Sequence, residues 1–116
     1  MQEHERQTIL RLRKNGEAAV PIVPTGVGHT PDIFIGNQLW EMKSPIGNSQ
    51  KSTIEKQFQR AKKQSKYLVI DSARTKLDDA YIEKQIHKYL NAPSFVHNIV
   101  WVKFLKKDEK VIDIKR

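Results

Sequence analysis

Residues 31–45, Pro-Asp-Ile-Phe-Ile-Gly-Asn-Gln-Leu-Trp-Glu-Met-Lys-Ser-Pro, constrain this chain more than any other stretch. Two short apolar runs flank a Gly36-Asn37 dipeptide, which predicts a β-hairpin. Asp32 opens the first strand and a Glu-Met-Lys triplet closes the second. Alternation puts Leu39, Glu41 and Lys43 on one face of that strand and Trp40 and Met42 on the other. An acid at the start of one strand is thereby brought near a Glu and a Lys on its neighbour.

Around the hairpin the pattern alternates between helical and extended segments. Residues 3–15 predict an amphipathic helix with Ile9, Leu10 and Leu12 as its apolar stripe, stopped by Asn15-Gly16. Residues 18–24 are extended, and Pro21 and Pro24 restrict them to a sheet edge. Residues 52–66 predict a helix that buries Ile54, Phe58 and Ala61, with Ser52 or Ser49 as its cap. Tyr67-Leu68-Val69-Ile70-Asp71 reads as a central strand. Residues 78–90 predict a third helix with Ile82, Ile86 and Leu90 on one face and acids in its first turn. Residues 98–105 and 110–114 form a last hairpin around Lys107-Asp108-Glu109. This order predicts a mixed β-sheet flanked by helices, an α/β fold in a single domain over residues 1–116.

At 116 residues the chain suffices for one modest core. Without cysteine it has neither a disulfide framework nor a thiolate metal site. No apolar run reaches the roughly 18 residues of a membrane span, and the N-terminus lacks a signal-peptide core. Net charge is +8, from 21 Lys and Arg against 13 Asp and Glu, which suits an anionic partner, above all nucleic acid. The positive charge clusters on the second helix and its approach, at Lys51, Lys56, Arg60 and Lys63. Gln57, Gln64 and Ser65 accompany it as further candidate nucleic-acid contacts.

Asp32 and Glu41 can serve as carboxylate ligands for a Mg²⁺ that also binds substrate phosphate, and Lys43 can stabilise developing negative charge. His29 lies in the loop before Asp32, within reach of the same centre as an acid or base. His4, His87 and His97 show no ligand spacing and read as structural. The chain carries no Gly-rich phosphate loop, nucleophile elbow or zinc signature.

The Pro-Asp, the short turn and the E-x-K triplet resemble the PD-(D/E)xK nuclease arrangement. A longer set of residues is more specific: Thr30-Pro31-Asp32, Gly36, Leu39-Trp40-Glu41-Met42-Lys43-Ser44-Pro45, Asn48-Ser49, Thr53-Ile54, Gln57, Lys63-Gln64-Ser65, Val69-Ile70-Asp71 and Arg74. Together these resemble the C-terminal toxin domains of contact-dependent growth inhibition (CdiA-type) proteins, particularly the tRNase group. The resemblance implies an antibacterial ribonuclease that cuts tRNA in the bacterial cytoplasm after delivery within a larger secreted protein. It further implies a cognate immunity protein and, in some relatives, help from elongation factor Tu. Asp32, Glu41, Lys43, Thr53 and Lys63-Gln64-Ser65 carry over as site positions.

Some toxin tRNases instead have the barnase/EndoU/colicin/RelE fold and act without metal. Lys43, His29 and Thr53 would then supply acid, base and phosphate-binding groups, and no cofactor would be needed. A metal-dependent DNase of restriction type and a non-catalytic basic nucleic-acid-binding module are the competing functions. Glu41→Ala and Lys43→Ala are expected to abolish cleavage while leaving thermal stability nearly intact.

Overall fold

The computed structural model describes residues 2–22, 32–48, 52–61, 65–92 and 97–116, with residue 32 through its backbone. Three helices and six strands form among them. These are α1 (Glu3–Lys14), β1 (Ala19–Pro21), β2 (Asp32–Ile35), β3 (Gln38–Lys43), α2 (Thr53–Gln59), β4 (Tyr67–Asp71), α3 (Asp79–Asn91), β5 (Trp101–Leu105) and β6 (Val111–Lys115). The strands lie side by side in chain order in one sheet. β1, β2 and β3 run antiparallel, β3, β4 and β5 parallel, and β6 antiparallel to β5. The expected mixed α/β sheet with flanking helices is the fold observed.

Connectivity explains the layering. The parallel steps β3→β4 and β4→β5 each need a crossover, and α2 and α3 supply them. Both steps move the same way across the sheet, so right-handed crossovers put both helices on one face. There Ile54, Phe58, Ile82, Ile86 and Leu90 pack on Leu68, Ile70, Val102 and Phe104. On the other face α1 brings Ile9 and Leu12 onto Ile33, Trp40, Met42, Val69 and Leu105. β4 is buried from Leu68 to Asp71, as its near-continuous apolar run requires.

Three expectations need correction. Leu10 is 45% exposed, so it leaves the apolar stripe. Successive helical residues turn by 100°, and the arc that buries Ile9 and Leu12 takes in Thr8 and Arg11 instead. The second helix stops at Gln59 rather than running to residue 66. No Gly or Pro marks that stop; Ser65 is instead engaged with Glu41 on β3, and the chain must enter β4 at Tyr67. Ser52 occupies the N-cap position of α2 without a side-chain capping bond.

The hairpin registers as expected, with Ile35 opposite Gln38. Gly36 takes φ 63°, the left-handed conformation that the first residue of such a two-residue turn needs.

Candidate functional site

Register builds the centre. Asp32 lies directly across from Glu41 in the β2–β3 ladder, and Glu41 lies across from Leu68 on the face covered by α2 and α3. Glu41 is thus a carboxylate in an apolar layer, 2% exposed. A buried carboxylate is tolerated only with a charge partner and hydrogen bonds. Lys43, two residues on along the same face, brings Nζ to 3.2 Å from Glu41 Oε2. Ser65, just before β4, donates its hydroxyl to Glu41 Oε1 at 2.9 Å. Ser65 therefore serves the centre by holding Glu41.

Beyond Lys43 the chain turns over the sheet and opens a cleft of about 440 Å³. Its walls are the loop from Ser44 to Gly47, the exposed side of α2 and the first two turns of α1. Lys43, Lys56 and Arg60 give it three cations, and Thr53 and Gln57 line it beside them. The Gln57 amide donates to the Thr53 carbonyl at 2.9 Å.

The loop is fixed from both sides. The Thr75 hydroxyl donates to the Gly47 carbonyl at 2.6 Å, and Lys76 N–H donates to Asn48 Oδ1 at 2.8 Å. On the other side Gly47 sits so close to α2 that a Cβ there would lie 2.9 Å from Thr53 Oγ1. Glycine at 47 is therefore a matter of contact, and it seats the loop against the buried Thr53.

The first helix contributes what sequence reasoning missed. His4, Glu5 and Thr8 line the cleft, so His4, read from the sequence only as structural, stands at its wall. A buried polar network sets α1 in that position. The Thr8 hydroxyl donates to Asp71 Oδ2, and Arg11 donates to Asp71 Oδ1 at 2.8 Å and to the Lys106 carbonyl at 2.8 Å. Asp71 also accepts from Ala73 N–H at 2.9 Å. The legible signal was a Thr and an Arg three residues apart within the arc of Ile9 and Leu12. By contrast His97 is structural as expected: its ring accepts Ile99 N–H, meets the Tyr89 carbonyl and packs on Phe58.

Of the remaining sequence-predicted positions, His29, Lys51, Lys63 and Gln64 lie outside the described residues, as does the side chain of Asp32. Among the described residues no cluster of three or more His, Asp or Glu side chains could hold a metal, and no helix is long and apolar enough to cross a membrane.

Fold and site together define a basic α/β domain in which the buried Glu41 pairs with Lys43 at the wall of a cationic cleft. Residues 29–111 match the family model of the contact-dependent growth inhibition CdiA C-terminal domain, and the chain belongs to that family. It is a CdiA C-terminal domain of contact-dependent growth inhibition. The fold is shared with a chain of the CdiA-CT/CdiI toxin and immunity complex from Burkholderia pseudomallei. The match has a TM-score of 0.74 at 22% identity and covers 97% of this chain and 83% of that one. No curated protein matches the chain.

Proposed function

We propose that this toxin domain is an endoribonuclease that cleaves tRNA, with Glu41 and Lys43 at the reaction centre. The observation that carries the reading is the Glu41–Lys43 ion pair at 3.2 Å, whose lysine lines a cleft shared with Lys56 and Arg60. A phosphodiester backbone entering that cleft meets cations on two elements, which neutralise phosphates before any bond is cut. Lys43 Nζ faces the non-bridging oxygens of the scissile phosphate and stabilises the charge that builds there. Glu41, oriented by Ser65, holds Lys43 in place at the cleft and balances its charge. Thr53 positions a neighbouring phosphate. The resemblance of the E-M-K strand and the K-Q-S segment to tRNase toxins directs the choice of substrate.

A Mg²⁺ at this centre would take Glu41 and Asp32, facing each other across one β2–β3 rung, as its carboxylate ligands. Its chemistry would be to polarise the phosphate and lower the pKa of a bound water. Glu41 already spends its oxygens on Ser65 and Lys43, so such an ion would displace at least one of them. The metal-free alternative keeps the pair as it stands, with His29 as the further acid or base. The same family reading brings a cognate immunity protein as inhibitor, elongation factor Tu as a helper, and delivery into the target bacterial cytoplasm as part of a larger secreted protein.

The test is digestion of purified tRNA and of plasmid, each with Mg²⁺ and with EDTA. Cleavage of tRNA is expected, and its survival in EDTA would choose the metal-free route. Cleavage of plasmid alone would replace the reading with a restriction-type DNase. Salt-sensitive binding without cleavage of either polymer would leave only a binding module.

A further inference from the structure

The opposite face of β3 carries a second constellation that the reaction centre does not use. Trp40 points away from Glu41, into a row with Tyr67 and Trp101 on the neighbouring strands. Ring centroids are 5.2 Å apart for Trp40–Tyr67, 5.0 Å for Trp40–Trp101 and 6.0 Å for Tyr67–Trp101. Beside the row lies a cavity of about 340 Å³, walled by Trp40, Trp101, Lys103 and the β2–β3 turn, with Glu17 and Ala18 at its rim.

Its chemistry is unusual for a packed sheet face. Lys103 is 4% exposed and stands 5.2 and 4.8 Å from the ring centroids of Trp40 and Trp101. Glu17 at 3.1 Å and Asp113 at 2.7 Å balance its charge. The indole Nε1 of Trp40 is buried and has no hydrogen-bond partner among the described residues. An apolar ring there would avoid that cost. The half-buried Trp101 ring and the Gln38 and Asn37 amides suit a planar, neutral ring with acceptors on its edge, with the fully buried Trp40 behind them. The balanced charge on Lys103 disfavours a phosphate.

Three cationic residues gather at one end of the sheet, next to the aromatic row. Val100 N–H donates to the Lys66 carbonyl at 2.8 Å, and Arg116 N–H donates to the Val100 carbonyl at 2.8 Å. Lys66 follows Ser65, the residue that holds Glu41, while Lys115 pairs with Trp101 and brings Nζ to 4.1 Å from its ring centroid. Lys66, Arg116 and Lys115 therefore stand together at the end of the sheet where β4 and β5 begin and β6 ends, beside the aromatic row.

We propose that the Trp40–Trp101–Lys103 cavity is a nucleobase subsite, which takes one unstacked base of single-stranded RNA while the phosphates track over Lys66, Arg116 and Lys115. The proposal rests on the nucleic-acid reading of the preceding section and adds a second contact point to it. Base–aromatic stacking is tolerant of sequence because every base offers a π-face, so the subsite adds affinity and register rather than a base code.

The full chain is titrated with a labelled, mixed-sequence 2′-O-methyl single strand of twelve nucleotides and with an abasic strand of equal length, reading anisotropy and tryptophan fluorescence. The base-bearing strand is expected to bind more tightly and to quench tryptophan emission. Ala18→Phe fills the cavity from its exposed rim and should weaken that strand about 5- to 150-fold, leaving the abasic strand unchanged. Trp101→Phe, which keeps a ring, should lose less. Equal binding of the two strands, or an Ala18→Phe variant that binds like wild type, overturns the subsite; if wild type still cleaves tRNA, the nuclease reading survives that outcome. Failure both to bind either strand and to cleave tRNA removes the two together.

Discussion

Lys43→Ala is expected to cost stability as well as activity, contrary to the surface-pair expectation from sequence. The Glu41 side chain is 1% exposed and that of Lys43 is 14% exposed. Removing the ammonium strips a carboxylate in an apolar layer of its cation at 3.2 Å. Breaking one side of a buried pair costs about 3–5 kcal/mol. The partial solvent contact of Lys43 places this case at the low end, about 3 kcal/mol. For a domain of this size each kcal/mol moves Tm by roughly 4 °C, so a fall of roughly 12 °C is expected. Replacing both partners, as Glu41→Gln with Lys43→Met, removes the charges together and should return to within about 1 kcal/mol of wild type. Both variants should be inactive on tRNA. The assay is urea unfolding of wild type, the single variants and the double variant, closed as a double-mutant cycle. A Lys43→Ala variant within about 0.5 kcal/mol of wild type would refute the argument, because the pair would then be no stronger than an exposed one.

Gly47→Ala should disturb both the loop and the cleft, since its Cβ would fall 2.9 Å from Thr53 Oγ1; the expected cost is about 1–3 kcal/mol, and Gly47→Ala combined with Thr53→Ala should recover most of it by urea midpoint. Arg11→Met leaves Asp71 buried without its guanidinium and should cost about 3–5 kcal/mol, while reducing cleavage through misplacement of α1 even where the protein is folded by circular dichroism. The acid side of the stability curve should carry a contribution from Asp79. Burial opposes its ionisation, but the Lys107 backbone N–H, the Ser72 hydroxyl and the Lys107 ammonium outweigh that and hold its carboxyl below the ordinary value. A depressed folded pKa contributes stability above about pH 4 that is lost as pH falls through the folded value. The stability gap between wild type and Asp79→Asn should therefore shrink between pH 7 and pH 3, and a gap constant across that range would refute it. At the alkaline end Tyr89 behaves oppositely. Burial and the nearby Glu55 raise its phenol, so its contribution is present below about pH 10 and lost as pH rises through the folded value; Tyr89→Phe should flatten that alkaline fall in a pH series of Tm.

Elements whose residues repeat with a single period were legible in the sequence. The hairpin, the apolar β4 run and α3 each follow one pattern, and each forms where expected. The end of α2 was not legible, because a helix with good formers through Lys62 and Lys63 has no local reason to stop at Gln59. What ends it is a distant demand: Ser65 must reach Glu41, and Tyr67 must start a strand parallel to β3. Leu10 shows the same limit, since hydropathy alone cannot tell which of three apolar neighbours faces the core when buried Thr8 and Arg11 share the arc.

For the site, the strand alternation that paired Glu41 with Lys43 was sufficient to find its centre. It could not reveal that the pair is buried, because burial depends on α2 crossing over β3 and β4. Nor could it find the third wall of the cleft. His4, Glu5 and Thr8 precede Lys43 by more than thirty residues, and they meet it only because Arg11 and Thr8 fasten α1 to Asp71 at the end of β4. Asp71 belongs to the stretch whose resemblance to the toxin family was legible, yet its work here is to anchor a helix. Its position at the C-terminal end of the strand beside β3 makes that anchoring decide the width of the cleft. An Asp71→Asn variant keeps an acceptor for Arg11 but loses the charge, so it should loosen α1 and lower cleavage more than it lowers overall stability. A variant that loses stability with undiminished cleavage per folded molecule would show that α1 only covers the sheet and takes no part in the cleft.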